Sequence, residues 1–121
     1  MTKRILVVED QEDNRQILRD LLANAGYEMI EAGDGEQALV QCAKHIPDLI
    51  LMDIQLPLLD GYEATRRIKA DAALKHIPII VVTSYALSGD EEKARAAGCE
   101  AYVAKPYSPR ALLAKIREYL P

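Results

Sequence analysis

The sequence predicts an α/β fold: a doubly wound, five-stranded parallel sheet with helices on both faces. Short apolar runs rich in Val, Ile and Leu alternate with longer stretches of helical spacing. The runs are too apolar to leave one face in water, as strands covered on both sides are. A length of 121 residues, half of them hydrophobic, suits one compact core, so a single domain over 1–121 with no output domain is expected. Right-handed β-α-β crossovers then give the strand order 2-1-3-4-5.

The first run is "RILVV", Arg4 to Val8. Behind it Ile17, Leu18, Leu21, Leu22 and Ala25 form an apolar stripe along a helix that Gly26 ends. "YEMIEA", Tyr27 to Ala32, is the second strand, and Ala38, Leu39, Cys42, Ala43 and Ile46 repeat the helical stripe. "DLILM", Asp48 to Met52, is the third strand. The helix after Gly61 carries Ala64, Thr65 and Ile68 inward and leaves Arg66, Arg67 and Lys69 to solvent. "IPIIVVT", Ile77 to Thr83, precedes a helix with Ser88 and Glu91 spaced as a capping box and Gly98 as its stop. "AYVA", Ala101 to Ala104, is the last strand. The final helix takes Ser108 as N-cap and Pro109 as first residue, and buries Leu112, Leu113, Ile116 and Leu120.

Composition narrows the function. A formal charge of −4 with interspersed signs argues against a general basic nucleic-acid surface. No apolar run approaches the roughly 20 residues that span a bilayer, and no cleavable signal pattern precedes the first strand, so a cytoplasmic location is expected. Cys42 and Cys99 lack metal-ligand spacing and read as small buried hydrophobes. His45 and His76 lie away from the strand carboxyl ends, and no Gly-rich phosphate loop is present.

In a doubly wound sheet, ligands sit at the carboxyl ends of the strands where the winding reverses. Those ends carry Glu9 and Asp10 after strand one, Asp53 after strand three, Thr83 and Ser84 after strand four, and Lys105 after strand five. Carboxylates gathered together repel unless a cation joins them. Oxygen-only ligands favour a hard ion, and two or three carboxylates with room for water suit Mg²⁺ better than Ca²⁺, with Mn²⁺ as a substitute. Lys105 adds a fixed positive charge and Thr83 a hydroxyl donor, which with the metal complete the parts needed to cradle a phosphoryl group. Asp53 is then the nucleophile and forms an acyl phosphate.

These residues resemble the receiver domains of bacterial response regulators over essentially the whole length. The resemblance rests on the pair Glu9-Asp10, the D-x-x-x-P-x-x-D-G spacing from Asp53 to Gly61, "VVTS" at Val81 to Ser84 and "AKPY" at Ala104 to Tyr107. "MDIQLP", "GDEEKARAAGCEAY" and the end soon after the last helix look close to the single-domain cell-cycle regulators of that family. The resemblance implies a flavodoxin-like, chemotaxis-type (βα)5 fold. It implies that Asp53 accepts phosphate from a phosphohistidine on a histidine kinase or histidine phosphotransfer protein. Glu9, Asp10, Asp53 and the Gln55 carbonyl would bind Mg²⁺, and Thr83 and Lys105 would contact the phosphoryl oxygens.

Tyr102 matches the family's switch aromatic, which reshapes the face of helix four, strand five and helix five toward an unknown downstream protein or a second copy of the chain. The competing reading is that Tyr102 merely packs on the sheet edge. Asn14, Ile17, Leu18 and Leu21, with the Pro106 to Tyr107 loop, match the family's docking surface. Leu18 and Leu21 read more readily as core. The Lys105-Pro106 bond is expected to be cis. Departures are modest: Leu56 stands where Met is frequent, Glu9 replaces a frequent Asp, and a bulky Tyr85 points to slow dephosphorylation. A phosphate shuttle and an unphosphorylated scaffold are the alternatives. A scaffold would have lost the acceptor, and an aspartyl phosphohydrolase would need an acid where Gln55 stands and a cap domain.

Overall fold

A computed structural model describes residues 2–83 and 90–121. Ten elements alternate strictly: β1 (Arg4–Val8), α1 (Glu12–Asn24), β2 (Glu28–Ala32), α2 (Gly35–His45), β3 (Leu49–Asp53), α3 (Gly61–Ala70), β4 (Ile79–Thr83), α4 (Asp90–Ala97), β5 (Ala101–Ala104) and α5 (Pro109–Tyr119). All five strands are parallel, in the order β2-β1-β3-β4-β5. Their carboxyl ends therefore line one edge, as the sequence predicts. Ser84, Tyr85 and the Ser88 cap lie outside the described residues.

Side chains alternate across the sheet, so each strand feeds two cores. Leu6, Val8, Ile50, Met52, Ile79 and Val81 pack with Ala38 and Cys42 of α2, Ala64 and Ile68 of α3 and Ala94 of α4. Ile5, Val7, Leu49, Leu51, Ile80 and Val82 pack with Leu18 and Leu22 of α1 and Leu112 and Ile116 of α5. β3 and β4, the third and fourth strands in spatial order, are buried at every position.

α2, α3 and α5 start at side-chain oxygens that accept otherwise orphaned N–H groups, whereas α1 starts at Gln11 with no side-chain cap. Asp34 accepts from Gln37 N at 2.7 Å, Asp60 from Glu63 N at 2.9 Å and Ser108 from Ala111 N at 3.0 Å. Pro109 takes the first position of α5, as expected. Gly26 ends the α1 segment with φ 88°.

Five local expectations need correction. β3 runs one residue further than predicted, so Asp53 is its last paired residue, opposite Val82. β4 starts at Ile79 rather than Ile77, because Pro78 has no N–H to give the ladder. Ile46 is not on the buried stripe of α2: it is the left-handed C-cap, φ 45°, and 43% exposed. Lys69 does not face solvent. The last turn of α3 lies over the start of β4, where Lys69 Nζ donates to Lys75 O (3.0 Å), Ile77 O (2.8 Å) and Glu100 Oε2 (2.8 Å). Glu100 Oε1 in turn accepts from Ile79 N at 2.7 Å. This latch ties α3, β4 and β5 at the sheet edge opposite Asp53. Leu113 is only partly buried.

Candidate functional site

Glu9, Asp10 and Asp53 meet at the carboxyl edge, each offering an oxygen within 4.8 Å of the others. Glu9 and Asp53 are buried, at 3% and 7% exposure, while Asp10 faces solvent. Lys105 Nζ donates to Glu9 Oε1 at 3.1 Å and to Asp53 Oδ2 at 3.3 Å. Burial alone disfavours the ammonium, but the charges of Asp53 and Glu9 outweigh it and hold Lys105 above the ordinary lysine range.

The backbone fixes these groups. Glu9 N donates to Ala32 O at 3.0 Å, which joins the ends of β1 and β2. Gln11 N and Asn14 Nδ2 donate to the Glu9 carboxylate at 3.1 and 3.3 Å. Asp53 Oδ1 accepts from Gln55 N at 3.0 Å. Gly61 N donates to Ile54 O at 3.0 Å, so the segment after Asp53 folds back on its own start. A Cβ on Gly61 would lie 2.2 Å from Asp53 O, which explains the glycine of the D-x-x-x-P-x-x-D-G spacing as a demand for close approach. Within that loop Leu59 N reaches Pro57 O at 2.7 Å around Leu58, which has φ 69° and is 82% exposed.

A carboxylate-lined strand edge with a lysine across two of the acids is a phosphoryl-accepting arrangement in its parts. A family model of the response regulator receiver domain matches residues 5–117. The chain belongs to the receiver family of response regulators. It is 49% identical to the polar-differentiation response regulator DivK of Brucella ovis over 120 residues, 99% of this chain and 98% of that protein.

Solved structures agree with the fold of this receiver. The receiver domain of sensor histidine kinase PA1611 from Pseudomonas aeruginosa, with a magnesium ion coordinated in its active-site cleft, is 38% identical with TM-score 0.92, covering 99% of this chain and 98% of that one. Chemotaxis protein CheY4 of Vibrio cholerae is 28% identical with TM-score 0.92, covering 98% and 99% of the two chains. Two-component signalling through a receiver is thus the role of this chain, and the oxygen-only set Glu9, Asp10 and Asp53 suits a hard divalent cation.

The receiver's remaining expected residues fall on two sides of the sheet. Thr83, fully buried, ends β4 next to Val82, the partner of Asp53. It alternates onto the face covered by α2, α3 and α4, and its carbonyl accepts from Lys105 N at 2.7 Å. Tyr102, opposite Val81, packs against the core of that same face, half-buried. Lys105-Pro106 is cis, as expected. On the other face a cavity of about 560 Å³ opens between α1 and the β5–α5 loop, with Asn14, Ile17, Pro106 and Tyr107 among its lining along with Asp53 and Lys105. Ile17 is 60% exposed, whereas Leu18 is core, so α1 divides as the sequence suggested. The bonds from Gln11 N–H and Asn14 to Glu9 were not foreseen. The sequence marked Asn14 as a docking residue, not as a partner of Glu9, although five residues after Glu9 it comes back within reach.

Proposed function

We propose that this receiver takes a phosphoryl group on Asp53 from a phosphohistidine of a histidine kinase or histidine phosphotransfer protein. The observation that carries this is the Lys105 ammonium set against Asp53 and Glu9 within a three-carboxylate cluster at the carboxyl edge of the sheet. An Asp53 oxygen attacks phosphorus in line as the N–P bond breaks, and the electron pair remains with the imidazole nitrogen. Glu9, Asp10, Asp53 and the Gln55 carbonyl would hold Mg²⁺, for which Mn²⁺ would substitute, and the ion would supply charge neutralisation to the transfer. Lys105 and the Thr83 hydroxyl take the remaining oxygens, and the catalysis extends only to the chain's own phosphorylation and dephosphorylation. The donor docks on Asn14 and Ile17 of α1 and the Pro106–Tyr107 loop, around the cavity that reaches Asp53.

Phosphorylation adds about −1.5 to −2 charges, which bias one of two packings of the Thr83 and Tyr102 pair. Both lie on the face toward α3 and α4, so the bias reads out on α4, β5 and α5 to a downstream protein, or to a second copy of the chain. The role is that of a single-domain cytoplasmic switch. The scaffold reading has no support from a site in which Asp53, Thr83 and Lys105 are all present. A panel of labelled histidine kinases with Mg²⁺, applied to wild type and D53N, tests the reading. Label confined to wild type is expected; label that persists in D53N, or none in either protein, overturns it.

A further inference from the structure

We propose that Arg15 is a positioning residue for the cation site, acting through the backbone of the β1–α1 loop. This rests on the reading of Glu9, Asp10 and Asp53 as a divalent-cation site. Arg15 Nη1 donates to Glu9 O at 2.6 Å, and the rest of its guanidinium is spoken for. Nη2 meets Glu12 Oε2 at 2.7 Å and Nε stands 3.3 Å from Glu31 Oε1 on β2. Arg19 grips Glu31 through both oxygens, with Nη2 at 2.5 Å from Oε1 and Nε at 3.2 Å from Oε2. Only 19% of the Arg15 side chain is exposed.

A planar guanidinium anchored on two carboxylates presents its remaining N–H in a fixed direction. That direction matters because the peptide from Glu9 to Asp10 is also planar. Its carbonyl is held by Arg15, and the preceding peptide is held by Glu9 N donating to Ala32 O at 3.0 Å. With both peptides pinned, the Cα of Asp10 has one place to be. Asp10 needs this, since it is the exposed member of the acidic set, whereas Glu9 and Asp53 are buried and bonded to Lys105. The acidic loop is thereby preorganised before any ion arrives.

The sign of the effect separates positioning from simple charge. Deleting a cation near carboxylates tightens Mg²⁺ binding by Coulomb's law, whereas loosening the loop weakens it. Calorimetric titration of Mg²⁺ into wild type, R15M and R15K, with amide hydrogen exchange in EDTA, reads both. R15M is expected to weaken Mg²⁺ roughly tenfold, the low end of what outer partners of metal ligands give. It should also speed exchange at Asp10 and Gln11 while leaving sheet amides unchanged. R15K, which keeps one bond to the carbonyl, should fall between. Mg²⁺ affinity of R15M within twofold of wild type, or tighter, overturns the proposal and leaves the cation site standing, as does exchange raised uniformly through the sheet. A wild type that binds no Mg²⁺ overturns both.

Discussion

Lys105 and Asp53 face each other at 3.3 Å across the carboxyl edge, and the same ammonium lies 3.1 Å from Glu9. One lysine therefore shares two of the carboxylates assigned to the cation. On the proposed reading it would bind phosphoryl oxygens and at the same time compete with the metal. K105M is expected to slow labelling of Asp53 by about 10²–10³, as loss of one preorganised donor does. In calorimetry the same variant should bind Mg²⁺ several-fold more tightly. Weakened Mg²⁺ binding would show that Lys105 supports the cation site instead.

The contact between Gly61 and the end of β3 allows no side chain. The obstacle to a Cβ is backbone, Asp53 O at 2.2 Å and Ile54 Cα at 2.7 Å, so no rotamer relieves it. G61A should cost about 1–3 kcal/mol in urea unfolding, as overpacking does. It should also slow labelling, because the atoms displaced belong to the acceptor residue. D60A, which removes only the α3 cap, should cost about 1 kcal/mol and leave labelling near wild type. Equal labelling of G61A and D60A would sever the glycine from the chemistry.

Thr65 on α3 is fully buried, and its Oγ1 has no hydrogen-bond partner among the described residues. A buried hydroxyl without a partner opposes folding, while valine fills nearly the same space without a polar atom. T65V is therefore expected to gain about 1 kcal/mol in urea unfolding with an unchanged slope. A loss of stability would mean that the hydroxyl is satisfied after all.

Glu63 gives stability a pH dependence of known sign. Hydrogen bonds from Arg66 and then Arg67 hold its carboxyl below the ordinary value of 4.5. A carboxyl depressed in the folded state contributes stability above its unfolded pKa and loses it as pH falls through the folded one. The gap in urea midpoint between wild type and E63Q should be widest near pH 7, shrink below about pH 4.5, and narrow in salt because the pair is exposed. A gap that is constant between pH 7 and pH 3 would remove Glu63 from the acid limb.

The sheet order and the meeting of Glu9, Asp10, Asp53 and Lys105 at the strand ends were legible because they follow from local periodicity plus one topological rule. Lys69 was not. Its partners Ile77 and Glu100 lie 8 and 31 residues away, and nothing within a helical turn signals that a lysine will find three oxygens. Leu58 was equally opaque, since "PLLDG" offers no glycine at the position where the backbone turns left-handed. Arg15 and Asn14 escaped for a third reason. Their contacts to Glu9 depend on how α1 is set against β1, which the apolar stripe of α1 determines only to within a side chain's length.

The two hydrophobic clusters have no side chain in common, since successive residues of each strand serve opposite faces. The sheet is in effect a septum. The cavity beside α1 borders one chamber and Tyr102 belongs to the other, so changes remote from the carboxyl edge should add rather than compound when made on opposite sides. On the proposed reading such a protein can drift in what it listens to without rewriting what it says, because the donor's cavity and Tyr102 stand in separate rooms.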